Sequence, residues 1–292
     1  MHQFIEYFRL IRIKHWLKNI IVFLPLFFSN NLNNLSKITN LLLSYFIFCF
    51  VSSFIYIYND IKDIKEDQNH PIKKQRPIAS GKISLCKAKK ISIFIILIAF
   101  ILIHILYEIN SNIYTIFIPF VYLILNILYS NFFKKIPIID ILIIVSGFLL
   151  RVAYGGISIS VEVSKYLYLT ILFGGFFVGF GKRRNEILKN KIKSREVLEI
   201  YSKDFLDKNM YVSLTLAIVS YTLWCVDYTT ITRIGNDSIF WTIPLLMVIL
   251  QKYSLIIEGD SHGDPIEVIL SDKIMLLLIA IFSIIMFILL YL

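Results

Sequence analysis

Runs of mostly apolar residues long enough to cross a bilayer recur along this chain, and that recurrence constrains its fold more than any other feature. They fall at 19–29, 41–58, 91–107, 113–130, 138–156, 166–181, 210–227, 239–255 and 274–292. A helix needs about 20 apolar residues to cross the hydrocarbon core of a bilayer. Lipid offers the backbone no hydrogen-bond partners, so spanning segments form helices or closed barrels, and runs of this length exclude barrel strands. The fold class expected is all-α: a polytopic membrane helical bundle of about nine transmembrane helices. Composition agrees. The hydrophobic set supplies 57% of the chain, charged residues only 17%, and the mean hydropathy is +0.72; soluble domains carry about 25% charged residues. The first run is short unless its helix begins near Ile11. No repeat, low-complexity tract or long linker interrupts the pattern, so residues 1–292 read as a single domain.

Lysine and arginine placement gives the orientation. The N-terminal segment holds Arg9, Arg12, Lys14 and Lys18; nine basic residues fall between Lys62 and Lys90, and nine more between Lys182 and Lys208. The alternate connections hold Lys37, Lys165 and Arg233. Basic residues are retained on the cytosolic side, so the N-terminus is expected in the cytosol and Leu292 outside. The same logic explains the net charge of +10 as a topology signal beside the spans, and nucleic acid is not an expected partner. Cys49, Cys86 and Cys225 have neither disulfide-framework nor zinc spacing. No cleavage site follows the first apolar run, so no removable signal peptide is expected.

Two cytosolic connections, about 59–90 and 181–209, are far longer than neighbouring helices require and hold most of the charge; function is expected there. The first opens with Asn59-Asp60-Ile61-Lys62-Asp63-Ile64-Lys65-Glu66-Asp67. Asp60, Asp63 and Asp67 are three and four residues apart, so a continuous helix projects them from one face. Three carboxylates together at a membrane boundary call for a cation. Magnesium fits, because it takes oxygen ligands and is commonly shared between a few carboxylates and substrate phosphates. Asn59 adds a neutral oxygen. The alternative is a solvated acidic helix end neutralised by Lys62 and Lys65. Lys73, Lys74 and Arg76 follow, placed to bind phosphate oxygens, and a turn built on Pro77 and Gly81 folds them back over the acidic face. Arg151 lies well inside its span, where an ionised side chain marks either a functional site or a buried ion pair.

Asn-Asp-x-x-Asp-x-x-x-Asp after a transmembrane helix, followed by Arg76-Pro77-Ile78-Ala79-Ser80-Gly81, resembles the first signature of the UbiA prenyltransferase superfamily. That resemblance implies a nine-helix bundle, magnesium and a prenyl diphosphate. Members typically carry a second motif, Asp-x-x-x-Asp, after the sixth helix. This chain has Gly181-Lys182-Arg183-Arg184-Asn185-Glu186 there, basic where the pattern is acidic. In this departure it is similar to the decaprenyl-phosphate phosphoribosyltransferase branch. The similarity extends to Arg12-Ile13-Lys14-His15-Trp16-Leu17-Lys18-Asn19, to Tyr129-Ser130, Lys134, Asp140, Arg151 and Gly155-Gly156, and to Gly263-Asp264-Pro265-Ile266-Glu267 with Asp272.

The branch implies transfer of 5-phosphoribose from phosphoribosyl pyrophosphate to a polyprenyl phosphate, with release of diphosphate. It further implies a bacterial inner membrane and an envelope polymer as the product's destination. On that reading Asn59, Asp60, Asp63 and Asp67 hold Mg2+ on the leaving diphosphate. Lys73, Lys74 and Arg76 serve the 5-phosphate or the diphosphate, and Lys182 and Arg183 complete that site from the other connection, with Glu186 a further substrate-binding residue. Lys18 and Lys134, beside Trp16 and Tyr129, receive the lipid phosphate, and Asn19, Tyr129 and Arg151 are counted among the substrate-binding residues without a particular partner. The acceptor is already anionic, so no general base is needed, and His15 and His70 read as packing or hydrogen-bonding residues. A conventional prenyltransferase with a prenyl diphosphate donor is the rival reading; a transporter or lipid flippase is a third, and predicts ionisable residues deep in several spans.

Overall fold

The structure is a computed structural model that describes residues 2–29, 31–189, 196–235, 237–259 and 265–292. Every regular element among these is helical. Seven helices are long and apolar enough to cross a membrane: α3 (Leu35–Lys62), α5 (Leu85–Asn110), α6 (Tyr114–Asn131), α7 (Ile139–Ser158), α9 (Lys203–Val226), α11 (Ile243–Glu258) with the turn before it, and α13 (Lys273–Tyr291). The remaining two apolar runs are also helical. One is α8 (Lys165–Lys189), whose hydropathy is diluted by Gly174, Gly175, Gly179 and Gly181 and by its charged C-terminal end. The other is a 3-10 helix, Ile13–Phe23, that passes into α2 (Leu24–Phe28), where Pro25 sits in the first turn. Proline there needs no N–H partner and favours an α-helical start. Short helices α1 (His2–Leu10), α4 (Ile64–Asn69), α10 (Tyr228–Ile234) and α12 (Pro265–Ser271) complete the chain.

Several helices outrun the apolar run that announces them. Polar caps set their starts. Asn34 accepts from Lys37 N at 3.1 Å, Ser202 from Phe205 N at 3.1 Å and Asp272 from Met275 N at 2.8 Å. A side-chain oxygen at this position satisfies an N–H that the helix cannot. At the cytosolic-loop ends, α3 runs on to Lys62 and α8 to Lys189; in α8 the added residues are mostly Lys, Arg, Glu and Leu, which sustain a helix well. The two long connections are therefore shorter than expected, and residues 182–189 belong to a helix.

The chain forms two compact units: residues 1–133 with 150–162, and residues 134–149 with 163–292. In the first, α3 is central. Its Leu41, Ile47, Phe48, Val51 and Ile55 pack with Ala99, Ile103 and Leu106 of α5, Tyr122 of α6, and Val22, Leu26 and Tyr154. A smaller cluster of Leu10, Ile57, Ile78, Ile83, Ala88 and Ile95 anchors the 63–84 connection. In the second unit, Ile141 and Val145 of α7 meet Phe177 and Phe180 of α8, Met210 of α9 and Ile257 of α11. Large apolar side chains left exposed, such as Phe94 and Ile101 on α5 and Leu277 and Ile284 on α13, suit a lipid surroundings.

Glycine allows two backbone approaches. A Cβ on Gly179 would lie 2.5 Å from Cγ2 of the buried Ile141 side chain. A Cβ on Gly155 would lie 2.1 Å from the carbonyl oxygen of Val22, where only backbone movement could relieve it. Gly155→Ala is accordingly expected to destabilise the protein by about 1–3 kcal/mol, the usual range for overpacking. A thermal-unfolding series in detergent would check this, with Gly174→Ala, where a Cβ meets nothing within 4 Å, as the near-neutral comparison.

Candidate functional site

In the first unit, α3 carries Asn59 and Asp60 in its last turn, and Asp63 is its C-terminal cap at φ −92° and ψ 18°. Asp67 N–H donates to the Asp63 carbonyl at 2.8 Å, so α4 follows with one kinked residue between the helices. The single continuous face expected from the spacing is thus broken at Asp63, while Asp60 and Asp67 are both brought to 2% exposure. Arg76 returns to them. Its Nη1 donates to Asp60 Oδ1 at 3.0 Å and to Asp67 Oδ2 at 2.7 Å. The turn that aims it is closed by Ser80 N–H on the Arg76 carbonyl at 2.9 Å and by Gly81 at φ +75°. Asp60 Oδ1 also accepts from Arg12 Nη2 at 2.5 Å. Arg12 lies at φ 52°, its guanidinium 4.7 Å from the centroid of the Tyr56 ring. Two buried carboxylates are therefore neutralised by two arginines, the arrangement that burial of charge demands.

Around this core, Asn59 Oδ1 lies 2.5 Å from the Ser130 hydroxyl, and Lys62 Nζ donates to the Ser130 carbonyl at 2.8 Å and to Asn131 Oδ1 at 2.5 Å. These bonds tie the end of α3 to the end of α6, beside Tyr129. Lys73 and Lys74 begin a 3-10 turn at Lys73–Gln75, Lys73 half-buried and Lys74 exposed. His70 Nδ1 accepts from the backbone N–H groups of Ile72 and Lys73, both at 3.2 Å. Burial, and then the charge of Lys73, holds its pKa below the usual imidazole value.

Asn19 and Arg151 lie deeper in the same unit, both buried. Arg151 Nε donates to Asn19 Oδ1 at 2.7 Å and its Nη2 to the Tyr122 hydroxyl at 2.8 Å, with the Phe48 and Tyr122 rings against the guanidinium. Asn19 Nδ2 in turn donates to Cys49 Sγ at 3.2 Å. Asn19 and Arg151 thus act as a pair, joining the 3-10 segment to α7 and α6. Lys18 precedes them, half-buried.

In the second unit the basic segment that replaces the expected second acidic motif lies on α8. Arg183 is 1% exposed; its Nε donates to Asp140 Oδ2 and its Nη1 to Glu186 Oε2, both at 2.6 Å. Arg184 Nε donates to Asp207 Oδ1 at 2.5 Å, and Asn185 Nδ2 to the Ile257 carbonyl at 2.8 Å. Asp140, fully buried, also accepts from the Tyr201 hydroxyl at 2.7 Å. The cations of Arg183 and Arg184 are thus matched by carboxylates within the unit. Lys182 is half-buried on the same turn, and Lys134 is half-buried in a 3-10 turn at Phe133–Lys135.

The site expectations missed Arg12, Ser130, Asp140, Asp207 and Tyr201. Arg12, Ser130 and Asp140 belong to quoted stretches of the sequence, but nothing in one sequence pairs them with Asp60, Asn59 and Arg183. Gly263 and Asp264 lie outside the described residues.

The oxygens of Asn59, Asp60, Asp63 and Asp67 are the hard donors that magnesium selects, and it commonly binds through one or two carboxylates plus substrate phosphates. Asp60 and Asp67, sharing one arginine nitrogen, are close enough to serve together. Among the described residues no three His, Cys, Asp or Glu side chains converge as they stand. The donor set fits the metal, and Arg12 and Arg76 supply positive charge at Asp60 and Asp67.

Comparison with known proteins follows the same lines. The chain is 31% identical to a decaprenyl-phosphate phosphoribosyltransferase of Corynebacterium glutamicum, over 91% of this chain and 80% of that protein. It is 27% identical to the protein of that name from Mycolicibacterium smegmatis, over 80% of this chain and 75% of the relative. Among solved structures it resembles a UbiA homolog from Archaeoglobus fulgidus bound to GPP and Mg2+, with a TM-score of 0.69, 18% identity and 97% of each chain covered. With residues 21–265 matching the UbiA prenyltransferase family, the chain belongs to that family and is an integral-membrane transferase.

Proposed function

We propose that this transferase moves 5-phosphoribose from phosphoribosyl pyrophosphate to a polyprenyl phosphate. A phosphate oxygen of the lipid bonds to the anomeric carbon of the ribose, the bond from that carbon to the diphosphate oxygen breaks, and diphosphate leaves. One observation carries the reading: Arg76 draws the carboxylates of Asp60 and Asp67 together, while α8 bears a Lys-Arg-x-x-Glu segment where the family's second acidic motif stands. The relatives named decaprenyl-phosphate phosphoribosyltransferase support it.

Asp60, Asp63 and Asp67, with Asn59, would hold Mg2+. When bound, the metal neutralises charge that develops on the departing diphosphate. Arg76, which bonds Asp60 and Asp67, and Arg12, which bonds Asp60, would also offer donors to phosphate oxygens at the same place. Lys73 and Lys74 lie on the same connection as Arg76 and are assigned to the 5-phosphate or the diphosphate. In the second unit, Lys182 and Lys134 are the cations assigned to phosphate, while Arg183 and Glu186 fix the turn of α8 that bears Lys182. Lys18 and Tyr129 are assigned to the lipid end, and the Asn19–Arg151 pair holds the segment that carries Lys18. No general base is assigned, because the attacking phosphate is already ionised. The N-terminus and the Asp60 cluster are placed in the cytosol, and the protein in a bacterial inner membrane, on the distribution of lysine and arginine and on the family's character.

The test is direct. Purified protein, magnesium, labelled phosphoribosyl pyrophosphate and a polyprenyl phosphate are expected to put label into the lipid phase. Excess chelator should abolish the transfer, and magnesium should restore it. Consumption of a prenyl diphosphate instead, with no ribosyl label in lipid, would replace this reading with ordinary prenyl transfer.

A further inference from the structure

Arg12, Ser111, Ile138 and Ser160 are the described non-glycine residues with positive φ, and of these Ile138, at φ 69°, has a branched β-carbon. That conformation is a genuine outlier for such a residue and persists where surrounding structure enforces it. Burial of its own side chain does not enforce it, since Ile138 is 50% exposed. A hydrogen bond does: the Ile138 N–H donates to the Tyr201 hydroxyl at 2.5 Å. That hydroxyl donates onward to Asp140 Oδ1 at 2.7 Å, and Asp140 Oδ2 accepts from Arg183 at 2.6 Å. The phenol thus sits between a strained backbone N–H and a buried carboxylate, using both its acceptor and its donor capacity. Burial pushes its pKa well above the ordinary tyrosine value, so the donor proton stays in place.

Ile138 is where the chain turns out of the Phe133–Lys135 segment into α7, so its φ sets the course of the turn that carries Lys134. Tyr201 comes from the connection between α8 and α9, next to the Ser202 cap. We infer that Tyr201 is a positioning residue: it clamps the 133–138 turn in its strained form, and so sets Lys134 for the phosphate of the acceptor lipid. The last clause rests on the proposed assignment of Lys134 to that phosphate; the clamp itself does not.

Two readouts on the full-length protein separate the clamp from the reaction. Tyr201→Phe removes one hydroxyl and keeps the ring. Hydrogen exchange over residues 132–142 is expected to speed up about tenfold, the effect of losing one hydrogen bond of ordinary strength. In transfer assays the KM for polyprenyl phosphate should rise by a similar factor, about tenfold, with kcat and the KM for phosphoribosyl pyrophosphate unchanged. Adding Ile138→Gly to Tyr201→Phe should recover most of the KM loss, because glycine accepts φ 69° without strain. It also keeps the test available if the single variant accumulates poorly. Exchange unchanged in Tyr201→Phe overturns the clamp, whatever the enzyme transfers. Equal shifts in both KM values, a fall in kcat alone, or no recovery in the double variant overturns its positioning role. Wild-type protein that transfers no phosphoribose yet shows the exchange effect would refute the reaction assignment and leave the clamp standing.

Discussion

Asp60→Asn is expected to lower the proposed phosphoribosyl transfer by about 10²–10³-fold, the usual effect of removing one preorganised electrostatic contact from a transition state. Asp60 earns this place by its surroundings. It is 2% exposed, and both Arg12 and Arg76 bond to its Oδ1. The amide keeps the shape and one oxygen but gives up the charge. Metal affinity should fall with it, so more magnesium should be needed to reach half-maximal rate. The substitution also leaves Arg12 and Arg76 short of a counter-charge, so loss of activity must be set against the folded fraction on size exclusion. Glu66→Gln, on the exposed side of α4, removes the same charge one residue from Asp67 and should leave the rate unchanged. A folded Asp60→Asn protein with wild-type rate and an unaltered response to magnesium would remove this cluster from the proposed catalytic site.

The contrast between what could and could not be read in the sequence runs along physical lines. Spanning helices were legible because lipid allows one solution for a long apolar run. The acidic cluster was legible because its spacing is local, and so was the return of Arg76, since Pro77 and Gly81 mark the turn that makes it. Helix ends were not. Apolarity stops near Tyr58 and Gly181, but the helices run on through Lys62 and Lys189, where paired polar residues such as Asp60, Arg183 and Asn185 are buried and the apolar pattern gives no sign of it. The kink at Asp63 and the 3-10 path of Ile13–Phe23 are set by tertiary packing, which periodicity does not register. Long-range pairing was hidden altogether. Lys182-Arg183-Arg184 reads as a patch of cations awaiting phosphate, and nothing near it in sequence announces that Asp140 and Asp207 will meet two of the three.

That pairing leads to the largest stability effect expected here. Asp140→Ala should destabilise the protein by about 3–5 kcal/mol, because breaking a buried ion pair leaves its partner's charge without compensation. Asp140 is fully buried and Arg183 1% exposed, and the substitution also strips the Tyr201 hydroxyl of its acceptor. Glu186, at 2.6 Å from Arg183 Nη1, would retain part of the charge balance, which favours the lower end of that range. Removing both ions gives the decisive comparison. Asp140→Leu with Arg183→Met takes away the two deeply buried charges together, leaving Glu186 with partial access to solvent, and replacements of buried ion pairs are often close to neutral for stability. The double variant should therefore unfold nearer to wild type than Asp140→Ala does, yet perform the proposed transfer poorly, because the turn of α8 bearing Lys182 loses its fixed partners. Recovery of stability without recovery of rate would show that the pair is kept for the position of the site. Recovery of both would mean that Lys182 and its turn need no such support, and would remove the α8 segment from the account of phosphate binding.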